Sequence, residues 1–485
     1  MTSFNVSGDP NPTQRKFRAL IVPDYLPWVT GKIAKRIAQH NHDWLDATVC
    51  SGGVLSEVVE RSPDLLDRID LVHFQTRDVA EALIDRFAGK VPVVLTIHHV
   101  EENRCVALEP RCDAIGTAGS QWAGELLAHG INPQKIVRIP YGVDVEQFRP
   151  PSTDDRARIR GRLGIDSDRF TIGFCAKRSS DSSGRKGVEV LIAAIELLGR
   201  RMPKAALVIT GPGWSDVVAR ARNVGLQCVQ LPYIWDEAEY AETYWGLDTF
   251  WVTSRIEGGP VPLLEAMSTG VCCITTPVGM TVDVVRDRKN GFFVPFNDPE
   301  TVISRTEELV RDPELARRLS HAARQTIING YRWDQVTRSA STLYRAAAVR
   351  FQERTGKQYS PAAFIPDHEP PATHLRESEL ELNALPRGLW PLINLKERFH
   401  FIMILRWMGE DETAERLIAE ANSSRLPSRH WKEEAARDSI RRGWEAFGKG
   451  DRRRALRLGL SAVGESPWLV DSWRLLVCAL VKPLP

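Results

Sequence analysis

Two runs of alternating strand and helix patterns, separated by a proline-rich stretch, constrain this chain more than any other feature. In the first run, FRALIVPDYLP reads as a short buried strand ending in a turn, and GKIAKRIAQHN follows with Ile33 and Ile37 at helix spacing. DLVHFQT and VPVVLTIHHV are further strands, alternating with helical ALIDRF and SQWAGELLAHG. The alternation begins again with FTIGFCA, AALVITG, CVQLPY, DTFWVTS and VCCITT. Strands that are apolar throughout, with helices between them, form parallel sheets whose crossovers cover both faces. The expected fold is α/β, with two Rossmann-like doubly wound lobes followed by an all-α helical module.

A chain of 485 residues exceeds what one hydrophobic core usually supports. The boundaries read as a flexible tail over 1–14, a first lobe over 15–150, an interlobe linker over 151–168 and a second lobe over 169–330. A crossover helix over 331–350, a linker over 351–395 and a helical module over 396–485 complete the chain. In the last segment Ile440, Trp444 and Phe447 recur at helix spacing, and the turns beginning at Gly409 and Gly450 share a glycine, an acidic residue and a later alanine. That pair resembles a tetratricopeptide repeat, with a spacing longer than the usual period of about 34 residues.

Composition removes several function classes. With 64 Lys and Arg against 62 Asp and Glu, the net charge of +2 gives no reason to expect nucleic acid as a partner. Eight scattered cysteines without a CxxC pair suggest neither a disulfide framework nor a zinc site, which is the pattern of a reduced cytoplasmic protein. The polar start MTSFNVSGDPNP lacks the apolar segment of a secretory signal, and no stretch approaches the about 20 apolar residues of a membrane span.

The most informative segment is DTFWVTSRIEGGPVPLLEAMSTG, a strand that feeds a Gly-Gly-Pro loop into a helix beginning near Pro262. Such a junction presents unpaired backbone N–H groups and the positive end of a helix dipole, a match for a diphosphate. Gly258, Gly259, Pro260 and Val261 form the cradle. Glu265 is suited to accept hydrogen bonds from ribose hydroxyls, and Glu257 to meet a sugar. Without a ligand, both glutamates also suit the start of a helix, where acidic residues are favoured. Upstream, Lys186 stands just ahead of a helix and adds a point charge to the same diphosphate. Phosphate binding by main-chain dipoles and lysine requires no metal and no other cofactor.

Glu257 and Glu265 with the loop between them resemble the E-x7-E signature of the retaining glycosyltransferases of family four, which are built on the two-lobed GT-B fold. IPYGVDVEQFRP resembles the family's I-P-N-G-V-D-x-x-x-F-x-P segment, with Tyr141 in place of asparagine. The resemblance covers about residues 15–350. It implies a nucleotide-sugar donor, uridine- or guanosine-linked, held by the second lobe, and a carbohydrate or lipid-linked acceptor on the side of the first lobe. It also implies an arginine near Lys186, a position that aligns here with Lys177 or Arg178, and a donor-contacting histidine, His98 or, in a competing register, His99. Gly31, before the first helix, would bring its loop toward the diphosphate or the acceptor. Met280 and Asp283 depart from the family pattern after the signature helix.

The chemistry expected is sugar transfer with retention at the anomeric carbon. One alternative is an inactive scaffold that binds a protein partner through the C-terminal helices. A second is a sugar-nucleotide epimerase or glycoside phosphorylase on the same fold. Lys32, Lys35 and Arg36 fall on one helix face, which reads first as a solvated face and second as a peripheral contact with acidic lipids at the inner face of a membrane.

Overall fold

The computed structural model describes residues 15–99, 107–178, 184–356 and 365–366, all within one compact unit. The first lobe holds six strands: β1 (Phe17–Val22), β2 (Leu45–Val49), β3 (Leu71–Phe74), β4 (Val93–Ile97), β5 (Ala114–Thr117) and β6 (Ile136–Arg138). They form one sheet in the order β2-β1-β3-β4-β5-β6. The second lobe holds β7 (Thr171–Cys175), β8 (Ala206–Thr210), β9 (Gln227–Leu231), β10 (Thr249–Val252), β11 (Cys272–Thr275) and β12 (Phe292–Phe293), ordered β12-β11-β10-β7-β8-β9.

Every strand pairing between these elements is parallel, as in Thr249↔Cys272 and Thr171↔Ala206. β1, β3 and β4, like β7, β8, β10 and β11, are buried along almost their whole length, which is why they read as continuous apolar runs rather than alternating ones. β2, β5, β6 and β12 are two to five residues long, and Gly116 interrupts β5, so none leaves a run long enough to read as a strand.

The stretch read as an interlobe linker is largely a helix, Thr153–Arg162. Ser152 accepts from the Asp155 N–H and Asp155 accepts from the Ser152 N–H, a reciprocal cap that starts the helix directly after the proline pair. Its arginines then hold it in place. Arg156 and Arg160 both reach the Asp248 carboxylate, at 2.5 and 2.6 Å, and Asp248 also accepts from the Thr171 N–H at 2.7 Å.

The crossover helix runs Ser339–Thr355, later than its expected bounds, and a short turn at Trp333–Val336 precedes it. It packs on β4, β5 and β6 of the first lobe. There Tyr344 meets buried His73, which burial pushes down to about 3, so that a neutral imidazole bridges Tyr344 and Thr96. Asp113 anchors the far end through Arg354 at 2.9 Å. The helical module expected at 396–485, and most of the linker before it, lie outside the described residues. No helix among the described residues is long and apolar enough to cross a membrane.

Asp248→Ala strands Arg160, which is 7% exposed, so thermal or urea unfolding should show a loss of about 3 kcal/mol, the cost of an uncompensated buried charge. Asp64→Ala removes an exposed i,i+4 partner of Arg68 and should change stability by less than about 0.5 kcal/mol.

Candidate functional site

Strand order fixes where a ligand can sit. In an open parallel sheet the crevice lies at the carboxyl ends of the strands where the order reverses, which in the second sheet is between β7 and β10. The chain leaving β7 carries Lys177, Arg178 and, after residues 179–183, Lys186; the chain leaving β10 carries Glu257. The two loops are laced together by main chain. Arg255 N–H donates to the Arg185 carbonyl at 2.6 Å, and the Thr253 hydroxyl donates to the Lys186 carbonyl at 3.1 Å. Gly187, at φ 62°, makes this approach possible, because a Cβ there would stand 2.0 Å from the Thr253 carbonyl oxygen.

Lys186 and Glu257 therefore meet: Nζ lies 2.5 Å from Oε1, and the Ser254 hydroxyl donates to the same oxygen at 2.7 Å. Both side chains of the pair are about 15% exposed, 16% and 14%. A charge pair this far from water is strongly coupled, and loss of either member leaves the other costly. The loop that follows is held by its carbonyls. Trp122 Nε1 donates to the Glu257 carbonyl at 2.7 Å, and the Met280 N–H to the Gly258 carbonyl at 3.1 Å. Among the described residues the N–H groups of Gly258 and Gly259 have no acceptor. Pro260 precedes the helix Val261–Ser268, whose first turn begins at Val261.

Glu265 is buried inside that helix, and the Tyr244 hydroxyl donates to its Oε2 at 2.7 Å. Burial pushes the carboxyl up to about 7; the hydrogen bonds from Tyr244 and Tyr240 and the charge of Lys32 pull the other way without overcoming it. Tyr240 and Tyr244 stand one helical turn apart, with their hydroxyls 2.7 Å from each other. Sequence reading missed both, although the i,i+4 tyrosines in EAEYAETYW are the visible trace.

The first lobe closes the other side. The carbonyl of His98, just past β4, comes so near the glycine loop that a Cβ on Gly258 would lie 2.5 Å from it. His98 Nδ1 is hydrogen-bonded to the Tyr141 hydroxyl, and Tyr141 also covers Gly259. His99 turns instead to Arg185, with Nη1 2.9 Å from Nε2. Met280 and Asp283 join the lobes. The Tyr141 N–H meets Met280 Sδ at 3.4 Å, and Asp283 takes the Ser120 N–H at 2.9 Å and pairs with Arg138 at 3.1 Å.

Three further candidates have partners within the protein. Arg178 is turned onto Asp216 at 2.5 Å and stacks over Trp214, so its guanidinium is held by the helix Ser215–Asn223 rather than by the Lys186 loop. Lys177 reaches the first lobe, with Nζ 4.1 Å from the centre of the Trp28 ring. Gly31 lies buried in the first turn of the helix Val29–His40, where a Cβ would stand 2.2 Å from the Leu26 carbonyl oxygen, so local chain packing accounts for the glycine. On that helix Lys32 and Arg36 lie 3.5 and 3.3 Å from Glu237 of the second lobe. Among the described residues, no group of three or more His, Cys, Asp or Glu is gathered closely enough to hold a metal ion.

Residues 23–147 match a family model described as Glycosyltransferase Family 4, and residues 155–326 match one described as Glycosyl transferases group 1. The chain is 27% identical over 322 residues to a D-inositol 3-phosphate glycosyltransferase of Segniliparus rotundus, covering 64% of this chain and 66% of that protein. It is 30% identical over 234 residues to a GDP-mannose-dependent alpha-(1-6)-phosphatidylinositol monomannoside mannosyltransferase of Mycolicibacterium smegmatis, covering 44% of this chain and 57% of that one. The alignments thus span less than two thirds of each of these relatives. The crystal structure of Anabaena Alr3699/HepE in complex with UDP and glucose has the same fold, at a TM-score of 0.58 and 17% identity, over 68% of this chain and 100% of that one. Matched along both lobes, the chain belongs to the group 1, family four-like glycosyltransferases of the two-lobed GT-B fold.

Proposed function

We propose that the protein transfers a sugar from a nucleoside-diphosphate sugar to a carbohydrate or lipid-linked acceptor, with retention of anomeric configuration, in the cytoplasm. The observation that carries this reading is the Lys186–Glu257 pair at the switch point of the second sheet, with Glu257 eight positions ahead of buried Glu265. The relatives support the substrate class. One is named for D-inositol 3-phosphate and another for GDP-mannose and a phosphatidylinositol mannoside, and the Anabaena structure holds UDP and glucose. Uridine- and guanosine-linked donors are both retained on that basis.

In this reading the E-x7-E pair divides its work. Glu265 accepts from the ribose hydroxyls, and Glu257 meets the donor sugar. The diphosphate rests on the N–H groups of Gly258 and Gly259 and on the N-terminus of the helix Val261–Ser268, while the Lys186 ammonium offsets the charge that grows as the nucleotide departs. The breaking bond leaves its electron pair on the diphosphate oxygen. The acceptor hydroxyl bonds to the anomeric carbon on the same face, and its proton passes to that leaving oxygen. The positive charge comes from main-chain dipoles and lysine, so no metal is required. His98 meets the donor sugar from the first lobe. Lys177, released from Trp28, takes the place of the family's arginine.

Purified protein incubated with a panel of uridine- and guanosine-diphosphate sugars should release nucleotide from one of them. Glu257→Ala and Lys186→Ala should each lower that rate at least about 100-fold, the scale of losing a charge-assisted contact made in the transition state. Absence of binding to every donor in calorimetry would defeat the proposal.

The Glu265 carboxyl also sets a pH dependence. Its proton is held more tightly in the folded chain, so stability is full below its ordinary value of 4.5 and is lost as pH rises through about 7. Denaturant unfolding should show a fall of about 3 kcal/mol across that window, absent in Glu265→Gln. Because ribose hydroxyls donate to the ionised form, nucleotide affinity should rise over the same window in the parent and stay flat in Glu265→Gln.

A further inference from the structure

We propose that Tyr141 is a positioning residue whose phenol fixes the His98 imidazole in the tautomer that carries its proton on Nε2. The assignment stands on geometry; its bearing on sugar transfer rests on the function proposed above.

Tyr141 stands where the resembling family segment carries asparagine, and its side chain is buried between the lobes. Among the described residues its hydroxyl has one hydrogen-bond partner, His98 Nδ1. Burial, and then the nearby charge of Glu257, push the phenol far above its ordinary range, so it keeps its proton at any working pH. A phenol that keeps its proton in a dry site donates it, and the acceptor within reach is Nδ1. Were Nδ1 the donor, the phenol proton would be left without an acceptor in a buried site.

The imidazole itself is neutral. Burial, and next the neighbouring His99, lower it to about 4. A neutral ring has one N–H, so an accepting Nδ1 places the hydrogen on Nε2. The Gln75 backbone beside the ring favours the protonated imidazole, and burial outweighs it. Nε2 is shielded from water and has no hydrogen-bond partner among the described residues. A buried donor held in one tautomer and unmatched by protein is a group kept for something else.

Its location says what that is. The His98 main chain presses on Gly258, and Tyr141 covers Gly259, so the imidazole lies beside the loop that carries Glu257. The donor-sugar hydroxyls there meet a carboxylate acceptor from one lobe and an N–H donor from the other. The opposite tautomer would present a lone pair, and the sugar would face two acceptors.

Tyr141→Phe keeps the ring and removes the proton that sets the tautomer. In the full-length protein labelled with 15N-histidine, with the His98 signals identified by their loss in His98→Gln, the parent should show a protonated Nε2 and a bare Nδ1 from pH 6 to 8. Tyr141→Phe should move both nitrogens toward averaged values while the melting temperature holds. Its kcat for nucleotide release should fall about tenfold with KM unchanged, the scale of one misplaced hydrogen bond. Added to His98→Gln, the same change should cost nothing further. A parent with the proton on Nδ1, a 15N pattern indifferent to Tyr141→Phe, or an unaltered kcat would each overturn the proposal. If the parent turns over no nucleotide sugar, the transfer reading fails and the 15N comparison still decides the tautomer.

Discussion

Everything in this molecule that bears on a ligand follows from the parallel pairing of its strands. Parallel strands need a crossover of a dozen or more residues, so each sheet is wrapped in helices on both faces and its loops are sorted by end. All the loops that follow strands gather at one edge of each sheet. The reversal of strand order between β7 and β10 then parts two neighbouring loops, and the side chains at their tips, Lys186 and Glu257, meet at 2.5 Å.

The charges gathered at that edge are held differently, and the difference sets what each can do. Glu257 is matched by an ammonium and a hydroxyl near the surface of the lobe. Glu265 is matched by tyrosine, with Lys32 acting from a distance, and burial outweighs both, leaving it near neutrality at about 7. Asp283 is spent on the join between lobes, capping the helix Ser120–Ala128 and pairing with Arg138. Two signature carboxylates eight positions apart in sequence thus sit in different surroundings, one facing a lysine and the other an aromatic wall.

Much of this was legible in the residues. The apolar runs gave most of the longer central strands of both sheets, because a strand covered on two faces has no polar side to hide it. The Gly-Gly-Pro loop between a strand and a helix gave the candidate site, because few other chemistries use that junction. The helix Thr153–Arg162 was hidden by the prolines before it, although Ser152 and Asp155 carry its start signal. Short strands such as β6 were hidden by length alone.

The sequence by itself determined the two-lobed parallel architecture and the residues that meet at the second lobe's edge, because hydrophobic period and turn chemistry are local properties of the chain. Only the tertiary structure decided which basic residue goes where. Arg178 leaves for Asp216 and Lys177 for Trp28, while Lys32 and Arg36 face Glu237. It also decided that Tyr141 and His98 form a pair across 43 residues of chain. Such partnerships depend on which loops the fold brings within a few ångströms, and no spacing along the sequence encodes that distance.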